Sequence, residues 1–454
     1  MREVDFFMIM YNYLFKTIVK AYYEGNFDEK IKELMEDDNI NKEYLSLVIS
    51  SLCGVEVGYS ENYTADLKAA IKVYSSDHKV VSKVMECDMD CADINGETPC
   101  QKSCPFSAIV TDKENHTTCI DNDKCTDCGF CVEACTDGKI LDKIEFIPLA
   151  NLLRENTPVI ATVAPAIIGQ FGKDVSINQL RAAFKKIGFA DMIEVAFFAD
   201  MLTIKEAVEF DHLVRHKHDF MITSCCCPMW VGMLKRVYSD LETHVSPSIS
   251  PMVASGRVLK KINPECKVVF IGPCIAKKAE IKDKDIIGDI DYVMTFQELK
   301  TVFEALDINP AELEEDISTE YASRGGRLYG RTGGVSIAVG DVIGRMYPEK
   351  HSTFYPIQAS GVMQCKEILS KAQKGEIEAN FIEGMGCVGG CVGGPKAIIP
   401  REEGRRFVND FADSSDIKVS MDSSCMDLIL KKIDINSAND FKDKEKIEIF
   451  ERKF

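Results

Sequence analysis

The sequence predicts an α/β protein with a mostly parallel sheet, preceded by a cysteine-dense region and a helical segment. Three observations support this architecture. Short apolar runs alternate with helical patterns over residues 146–454, which is typical of α/β layers. Cysteines at short spacings crowd residues 81–145, whereas residues 1–80 show helical periodicity and no metal-ligand spacing. These three ranges are the predicted domains.

Length and composition exclude several classes of protein. The chain has 454 residues, of which 46% are hydrophobic, so it is long enough for two or three domains with a sizeable core. A formal net charge of -18 argues against a nucleic-acid partner. No apolar run has the length of a membrane span, and no secretory signal is recognised, so a cytoplasmic location is expected. In a reducing compartment the 19 cysteines favour metal ligands over disulfides.

The elements follow in order along the chain. Apolar residues recur at helical intervals over residues 6–19, and two further helices are predicted over 41–52 and 65–74. A helix is predicted over 177–186, and a strand and a closing helix within 401–454. The predicted buried strands of the α/β part are short apolar runs, at 159–164, 191–195, 220–224, 268–271 and 292–296, with the late strand at 417–421.

Two cysteine runs carry the strongest metal-binding signal. The second run, Cys125-x2-Cys128-x2-Cys131-x3-Cys135, has the spacing of a 4Fe–4S ligand set, although Thr136 stands where bacterial ferredoxins usually have proline. The first run is looser, and a loop over 92–99 stretches its middle. It consists of Cys87, Cys91, Cys100 and Cys104, which precedes Pro105. A zinc ribbon is the alternative, but eight cysteines in this order fit two cubanes better.

A row of three thiols, Cys225, Cys226 and Cys227, follows the predicted strand at 220–224. Three adjacent cysteines fit one cluster poorly, so we expect one to be a ligand and a neighbour to do chemistry. Open α/β sheets place their sites at the carboxyl ends of strands. Two more loops carry cysteine, one at 270–280 and one at 383–395, where glycine pairs allow close backbone approach. An ordinary turn is the alternative for those glycines.

Taken together, these three loops resemble the signature loops of iron–iron hydrogenases, and the Cys-Cys-Cys-Pro-Met-Trp form is most similar to the group B enzymes. The resemblance implies a catalytic domain of two lobes with the H-cluster between them, behind a ferredoxin-like domain with two 4Fe–4S clusters. It implies reversible reduction of protons to H2, with ferredoxin or flavodoxin as the electron partner. Maturation proteins would install the two-iron unit, which carries carbon monoxide, cyanide and azadithiolate.

The resemblance also assigns ligands. One small cluster would be held by Cys87, Cys91, Cys100 and Cys135, and the other by Cys104, Cys125, Cys128 and Cys131. The H-cluster cubane would be held by Cys227, Cys274, Cys387 and Cys391, with Cys391 as the bridge to the two-iron unit. Four thiolates from separate loops suit a soft iron–sulfur centre. Aligning the cysteine row from Thr223 instead of Pro228 would shift each role one place toward the amino terminus.

The surroundings of the two-iron unit follow from the same resemblance. Lys277 matches a lysine that hydrogen-bonds a cyanide, although a solvated lysine at a helix start, like Lys278, is the alternative. Met385, Ala164 and Pro165 match walls of the pocket, and the turn at 332–335 resembles a family turn. Two positions depart from the family: Gly272 stands where methionine is usual, and Met252 replaces a glutamine.

The same resemblance implies a proton relay of four residues, Cys226, Glu206, Ser246 and Glu209. Glu206 and Glu209 are three apart and would share a helix face, where burial would raise their pKa values. The alternative for Thr203 and Glu206 is a capping box at a helix start. Two rival functions remain from other classes: a hydrogen sensor, and an iron–sulfur carrier without the two-iron unit.

Overall fold

Helices form the amino-terminal region in the computed structural model, which describes residues 3–36, 41–75, 79–112, 114–155 and 157–454. They are α1 (Glu3–Glu24), α2 (Phe27–Met35), α3 (Lys42–Leu52) and α4 (Tyr63–Lys72). The Asn41 side chain caps α3 by accepting a hydrogen bond from the Tyr44 amide. Leu14, Ile18 and Val19 are buried, whereas the side chains of residues 6 and 7 lie outside the described ones.

The cysteine-dense region contains two small antiparallel sheets and two short helices. Its elements are β1 (Val81–Lys83), α5 (Pro99–Ser103), β2 (Ile109–Asp112), β3 (Thr117–Ile120), α6 (Phe130–Ala134) and β4 (Ile140–Asp142). Strand β1 pairs with β4, and β2 pairs with β3. Each short helix carries one of the cysteine runs, because Cys100 lies in α5 and Cys131 lies in α6.

Two separate parallel sheets organise the rest of the chain. Their strands are β5 (Val159–Val163), β6 (Asp191–Glu194), β7 (Met221–Ile222), β8 (Lys267–Gly272), β9 (Tyr292–Thr295), β10 (Pro356–Ser360) and β11 (Phe381–Met385). The four-stranded sheet has the order β6-β5-β8-β9 and the three-stranded sheet the order β10-β11-β7, all parallel. The predicted mixed α/β fold with parallel sheet is confirmed.

Helices cover both sheets. They are α7 (Phe146–Leu152), α8 (Ile177–Ile187), α9 (Ala196–Leu213), α10 (Pro228–Arg236), α11 (Pro251–Ile262), α12 (Ala276–Glu280), α13 (Phe296–Ala305), α14 (Arg324–Leu328), α15 (Gly334–Met346), α16 (Pro348–His351), α17 (Val362–Gln373), α18 (Arg401–Ser414), α19 (Ser424–Lys432) and α20 (Lys444–Ile447). The strand predicted over 417–421 is wrong. That stretch contains the start of a single 3-10 turn, Ser420–Asp422, and the Ile417 carbonyl accepts a hydrogen bond from the Arg324 amide in a loop contact. No helix in the described ranges is long and apolar enough to cross a membrane.

One hydrophobic core runs from the amino-terminal helices into the four-stranded sheet. The rings of Phe15 and Phe146 of α7 pack edge to face, with 6.4 Å between their centroids. Phe146 also stacks with Tyr23 at 6.3 Å. Buried aromatic pairs of this kind contribute stabilising free energy beyond that from the area they remove from water. The helical segment is therefore packed against the α/β part, and not tethered beside it.

A buried ion network joins the cysteine-dense region to the α/β part. Lys278 of α12 is fully buried, and its ammonium contacts Glu298 and lies 3.1 Å from Asp142. Asp142, at the end of β4, also pairs with Lys396 at 3.1 Å. Burial alone would lower the pKa of Lys278, but the carboxylates Glu298 and Asp142 outweigh it and raise that pKa. The expectation of a solvated Lys278 is wrong.

Replacing Lys278 with methionine tests how much this network holds the parts together. The change leaves two buried carboxylates, Asp142 and Glu298, short of a cation, so we expect a loss of about 3–5 kcal/mol in the free energy of unfolding. Urea unfolding followed by two probes measures it. The control is Lys371→Met, which breaks an exposed pair with Glu367 and is expected to change little. Equal effects of the two changes would contradict a structural role for the network.

Candidate metal-cluster site

Four cysteines approach one another where strands of the two sheets end. Cys227 caps α10 just after β7, Cys274 follows β8, and Cys387 follows β11, while Cys391 opens a 3-10 turn, Cys391–Gly393. Burial first, and then the nearby thiols Cys227 and Cys391, raise the pKa of Cys274 to about 12. Burial and the other three thiols of the set likewise raise the pKa of Cys387. Parallel strands place their carboxyl ends at one edge, which brings these loops together.

The donor set fits a polynuclear iron–sulfur cluster. Four thiols from three loops are the soft ligands that such clusters take. Within the described ranges, no three Cys, His, Asp or Glu side chains form a site for a single metal ion. Ligands of one ion must meet at a point, whereas the four ligands of a cubane attach to different irons. The Gly386 amide donates to Cys227 Sγ at 3.4 Å, a contact that also suits a thiolate.

The glycine run is fixed by a close backbone approach. A Cβ at Gly390 would lie 2.5 Å from the Thr332 amide nitrogen, and its φ of +88° is in the region that favours glycine. Thr332 N donates to Gly389 O at 3.0 Å. The Glu383 carboxylate accepts a hydrogen bond from the Gly333 amide at 2.7 Å, which stabilises this turn. The turn predicted at 332–335 thus supports the loop that carries Cys387 and Cys391.

Lys277 is a buried cation beside the cysteines. Its Nζ lies 3.1 Å from the Cys226 carbonyl and 2.6 Å from Glu280 Oε2. The alternative of a solvated lysine is therefore wrong. Interaction with the Cys226 side chain lowers the pKa of Cys391. Cys226 is therefore close to both Lys277 and Cys391.

The departure at Gly272 has a steric explanation. A Cβ there would lie 2.6 Å from the Phe270 ring and 3.4 Å from the Ala164 Cβ. Phe270 is buried and stands two residues earlier on the same face of β8, so its ring takes the space that a side chain at 272 would need. Pro165 opens a 3-10 turn, Pro165–Ile167, and Met252 and Met385 are both buried.

The first predicted relay carboxyl lies inside a helix. Glu206 is fully buried in α9; Thr223 Oγ1 donates to its Oε1 at 2.8 Å, and its Oε2 has no hydrogen-bond partner among the described residues. Burial raises the pKa of Glu206 to about 7. The capping-box alternative is wrong, because Thr203 is interior to α9 and donates to the Ala199 carbonyl at 2.8 Å.

The structure connects the relay residues in two separate groups. Ser246 donates to Glu209 Oε2, and Lys205 Nζ lies 2.6 Å from Glu209 Oε1. Glu206 belongs to the other group, in which the neighbouring thiol is Cys225 and not Cys226. Thr223 Oγ1 stands 3.2 Å from Cys225 Sγ. Cys225 is therefore the thiol of the row that lies beside Glu206.

The eight cysteines of the earlier runs gather in the two predicted groups. In the first, Cys91 lies near Cys100 and Cys135, and Cys100 lies near Cys87. In the second, Cys104, Cys125 and Cys128 surround Cys131. Cys128 also lies near Cys387 of the four-thiol site. Three thiol groups therefore follow one another from the surface to the buried site.

Sequence reasoning missed several residues that shape the site. Tyr329, whose hydroxyl is 2.9 Å from Thr203 Oγ1, approaches Cys225 from a loop far along the chain. Nothing in its neighbourhood in the sequence marks it. Glu280 and Lys205 could have been found, because they stand three and four positions from Lys277 and Glu209 on one helix face.

Fold and site define the class as an α/β protein that binds an iron–sulfur cluster at strand ends. The family model described as "Iron only hydrogenase large subunit, C-terminal domain" matches residues 157–395, more than half of the chain. The chain belongs to this iron-only, or FeFe, hydrogenase family.

Individual relatives are distant. The chain is 26% identical to NADP-reducing hydrogenase subunit HndD of Solidesulfovibrio fructosivorans, over 60% of this chain and 55% of that one. It is 28% identical to Iron hydrogenase 1 of Clostridium pasteurianum, over 64% and 67%. It is also 23% identical to cytosolic iron-sulfur assembly component 3 of Bos taurus, over 52% and 61%. The chain thus spans between about half and two thirds of the length of these relatives.

Solved structures share the fold. The structure of a variant of the FeFe-hydrogenase HydA1 from Chlamydomonas reinhardtii aligns with a TM-score of 0.52 at 22% identity. The alignment covers 62% of this chain and 92% of that chain. The shared part is the α/β architecture with its parallel sheets.

The raised pKa of Glu206 gives a pH-dependent prediction for Glu206→Gln. Between the ordinary glutamate pKa of about 4.3 and the folded value of about 7, the folded protein holds a proton that the unfolded chain releases. The free energy of unfolding of the wild type therefore decreases as pH rises through this window. Glutamine at this position cannot ionise, so the variant does not lose this stability. We expect the variant to gain stability relative to wild type between about pH 5 and pH 8, measured by urea unfolding. The control is Glu376→Gln on the exposed surface, and a difference that does not change with pH would contradict the buried-carboxyl account.

Proposed function

We propose that the protein is a ferredoxin-dependent FeFe hydrogenase of the group B type, which interconverts protons and H2. The observation that carries this proposal is the buried Lys277 beside Cys226 and Cys391. A protein that held only a cubane would need four thiols, but it would not need a buried ammonium next to them. Lys277 pairs with Glu280 and the Cys226 carbonyl, and its third ammonium donor can bind one more acceptor, for which a cyanide of the two-iron unit is suited.

The residues present fit the proposed cofactor. Cys227, Cys274, Cys387 and Cys391 would hold the cubane, with Cys391 as the bridge. When bound, the H-cluster would supply the site at which H2 is split or formed. The chain would contribute walls that exclude water, formed by Met385, Met252, Ala164, Pro165 and Gly272 with the Phe270 ring beside it. Lys277 would orient the unit through its ammonium.

The proton route would begin at Cys226 and leave through Glu206, Ser246 and Glu209. Burial supports this role for Glu206, because a carboxyl with a pKa of about 7 can accept and release protons near neutral pH. Glu206 Oε2, which has no hydrogen-bond partner among the described residues, supports it as well, since such a buried oxygen can take a water or a proton donor. Cys225 and Thr223 would stand between Cys226 and Glu206, and a water would join Glu206 to Ser246.

The ferredoxin-like region, residues 81–145, would hold the two 4Fe–4S clusters. Its ligand groups would be Cys87, Cys91, Cys100 and Cys135, and Cys104, Cys125, Cys128 and Cys131. The proximity of Cys128 to Cys387 supports electronic contact between the second group and the catalytic site. Ferredoxin or flavodoxin would exchange electrons with the first group in the cytoplasm. Maturation proteins would deliver the two-iron unit.

The likeness to an iron–sulfur assembly component supports a second candidate, a carrier that holds cubanes and no two-iron unit. Infrared spectroscopy separates the two, because only the hydrogenase binds carbon monoxide and cyanide at iron. We expect about twelve irons in protein loaded with three cubanes. Addition of a two-iron unit should then produce carbonyl and cyanide bands and hydrogen evolution. Twelve irons without such bands would overturn the hydrogenase proposal in favour of the carrier.

Serine replacements in the cysteine row test the assignment of each thiol. Cys227→Ser should impair cubane assembly, because serine is a poor ligand for this iron. Cys226→Ser should keep the infrared bands but lose most turnover, because a hydroxyl releases its proton far less readily than a thiol. Cys225→Ser serves as the matched neighbour and should keep the assembled cluster with milder loss. If Cys226→Ser is the variant that cannot assemble, the ligand assignment is off by one residue.

A further inference from the structure

The ammonium of Lys277 is not isolated; it is one end of a buried chain of charges. Glu280 Oε2 accepts a hydrogen bond from Lys277 Nζ at 2.6 Å. Its other oxygen, Oε1, lies 2.6 Å from Arg452 Nη2. The side chains of Glu280 and Arg452 are both 1% exposed. One carboxylate therefore sits between two cations that are far apart in the sequence.

The sum of these charges decides what the pocket can bind. Lys277 and Glu280 alone would form a neutral pair, whereas the three residues together carry one net positive charge. Burial by itself raises the pKa of Glu280, but Lys277 and Arg452 outweigh it and lower that pKa, so the carboxylate is ionised. In a low-dielectric interior an uncompensated positive charge attracts an anion strongly. Arg452 is therefore the residue that gives this chain of three charged residues its net positive charge, while Asp283 lies near Arg452 and Glu280.

Hydrogen-bond geometry leads to the same conclusion. An ammonium has three donors, and Lys277 directs two of them to the Cys226 carbonyl and to Glu280. Arg452 occupies the second oxygen of Glu280, so the carboxylate cannot take both of its hydrogen bonds from Lys277. The third donor of Lys277 then stays available for a ligand.

We propose that Arg452 is a positioning residue that keeps Lys277 available for an anionic ligand of the iron cluster by occupying Glu280. This inference rests on the proposed function, because the ligand is a cyanide of the two-iron unit. In this proposal Arg452 acts through Glu280, while its Nε donates a hydrogen bond to the Ser248 carbonyl at 3.2 Å. The protein would thus use a residue near the far end of its sequence to set the charge of its catalytic pocket.

The segment that carries Arg452 is held in place without its guanidinium. Arg452 N donates to the Pro247 carbonyl at 2.7 Å, and Ile249 N donates to the Phe450 carbonyl at 2.9 Å. Arg257 adds a hydrogen bond to the Glu451 carbonyl at 2.7 Å. Methionine at 452 keeps the apolar stem of the side chain, so Arg452→Met should fold and leave the segment docked.

The test measures uptake of a synthetic two-iron complex with carbonyl and cyanide ligands by cubane-loaded protein. Arg452→Met makes the pocket neutral, and we expect apparent affinity for the complex to fall about tenfold, with shifted cyanide bands. Arg452→Lys should restore most of the uptake, because an ammonium can still pair with Glu280. The control Arg257→Met removes another anchor of the same segment and should leave uptake and cyanide bands unchanged.

A double variant separates charge from packing. Glu280→Gln combined with Arg452→Met leaves Lys277 as the single charge and returns the pocket to one net positive charge. We expect this double variant to take up the complex better than Arg452→Met alone, whereas a packing role for Arg452 predicts that it is no better. Wild-type bands in Arg452→Met, or equal loss in Arg257→Met, would overturn the inference and leave the proposed function intact. Absence of bands in wild type would overturn the proposed function itself.

Discussion

The buried network around Lys278 is the constraint on which the arrangement of this protein depends. One ammonium with no exposed surface faces Glu298 from the α/β part and Asp142 from the cysteine-dense region. Asp142 then faces Lys396, which directly follows the Gly394-Pro395 end of the loop that carries Cys387 and Cys391. Removing any member leaves a charge in the interior without its partner, which costs several kcal/mol. The network therefore holds the cysteine-dense region at a fixed position relative to the loop that carries Cys387 and Cys391.

Fixing that position matters because the three thiol groups form a series. Cys128 lies near Cys387, and Cys131 is surrounded by the second group, next to Cys100 of the first. In the proposed function, electron transfer between clusters held by these groups would need a constant separation, which a loose linker would not maintain. The packing of Phe146 against Phe15 and Tyr23 adds an apolar support on the other side of α7. Ionic and apolar contacts thus act on the same junction.

Much of the fold and of the candidate site could be predicted from local patterns. The short apolar runs locate all but the last of the predicted strands. The division of the eight cysteines into two groups of four comes from a resemblance to two-cluster ferredoxins and not from spacing. What failed depends on contacts between distant parts of the chain. Nothing near Lys278 in the sequence shows that Asp142 and Glu298 enclose it. Thr203 has the spacing of a capping residue, but α9 begins seven residues earlier, at Ala196, so the local pattern was misleading. The apolar run at 417–421 lacks a neighbouring strand and stays a loop.

The cysteine row shows how the backbone distributes different chemistry over adjacent identical residues. Pro228 fixes the start of α10, so Cys227 becomes its cap and faces the Gly386 amide. Each residue before the cap then points in a different direction. Cys226 meets Cys391 and Cys225 meets Thr223 and Glu206. Because Cys225 is fully buried beside a carboxyl, its pKa is raised by burial first and by Glu206 second, and it remains a neutral thiol. A neutral thiol can donate and accept a hydrogen bond but makes a poor metal ligand. In the proposed function, Cys225 would therefore lengthen the path between Cys226 and Glu206 without adding a competitor for iron.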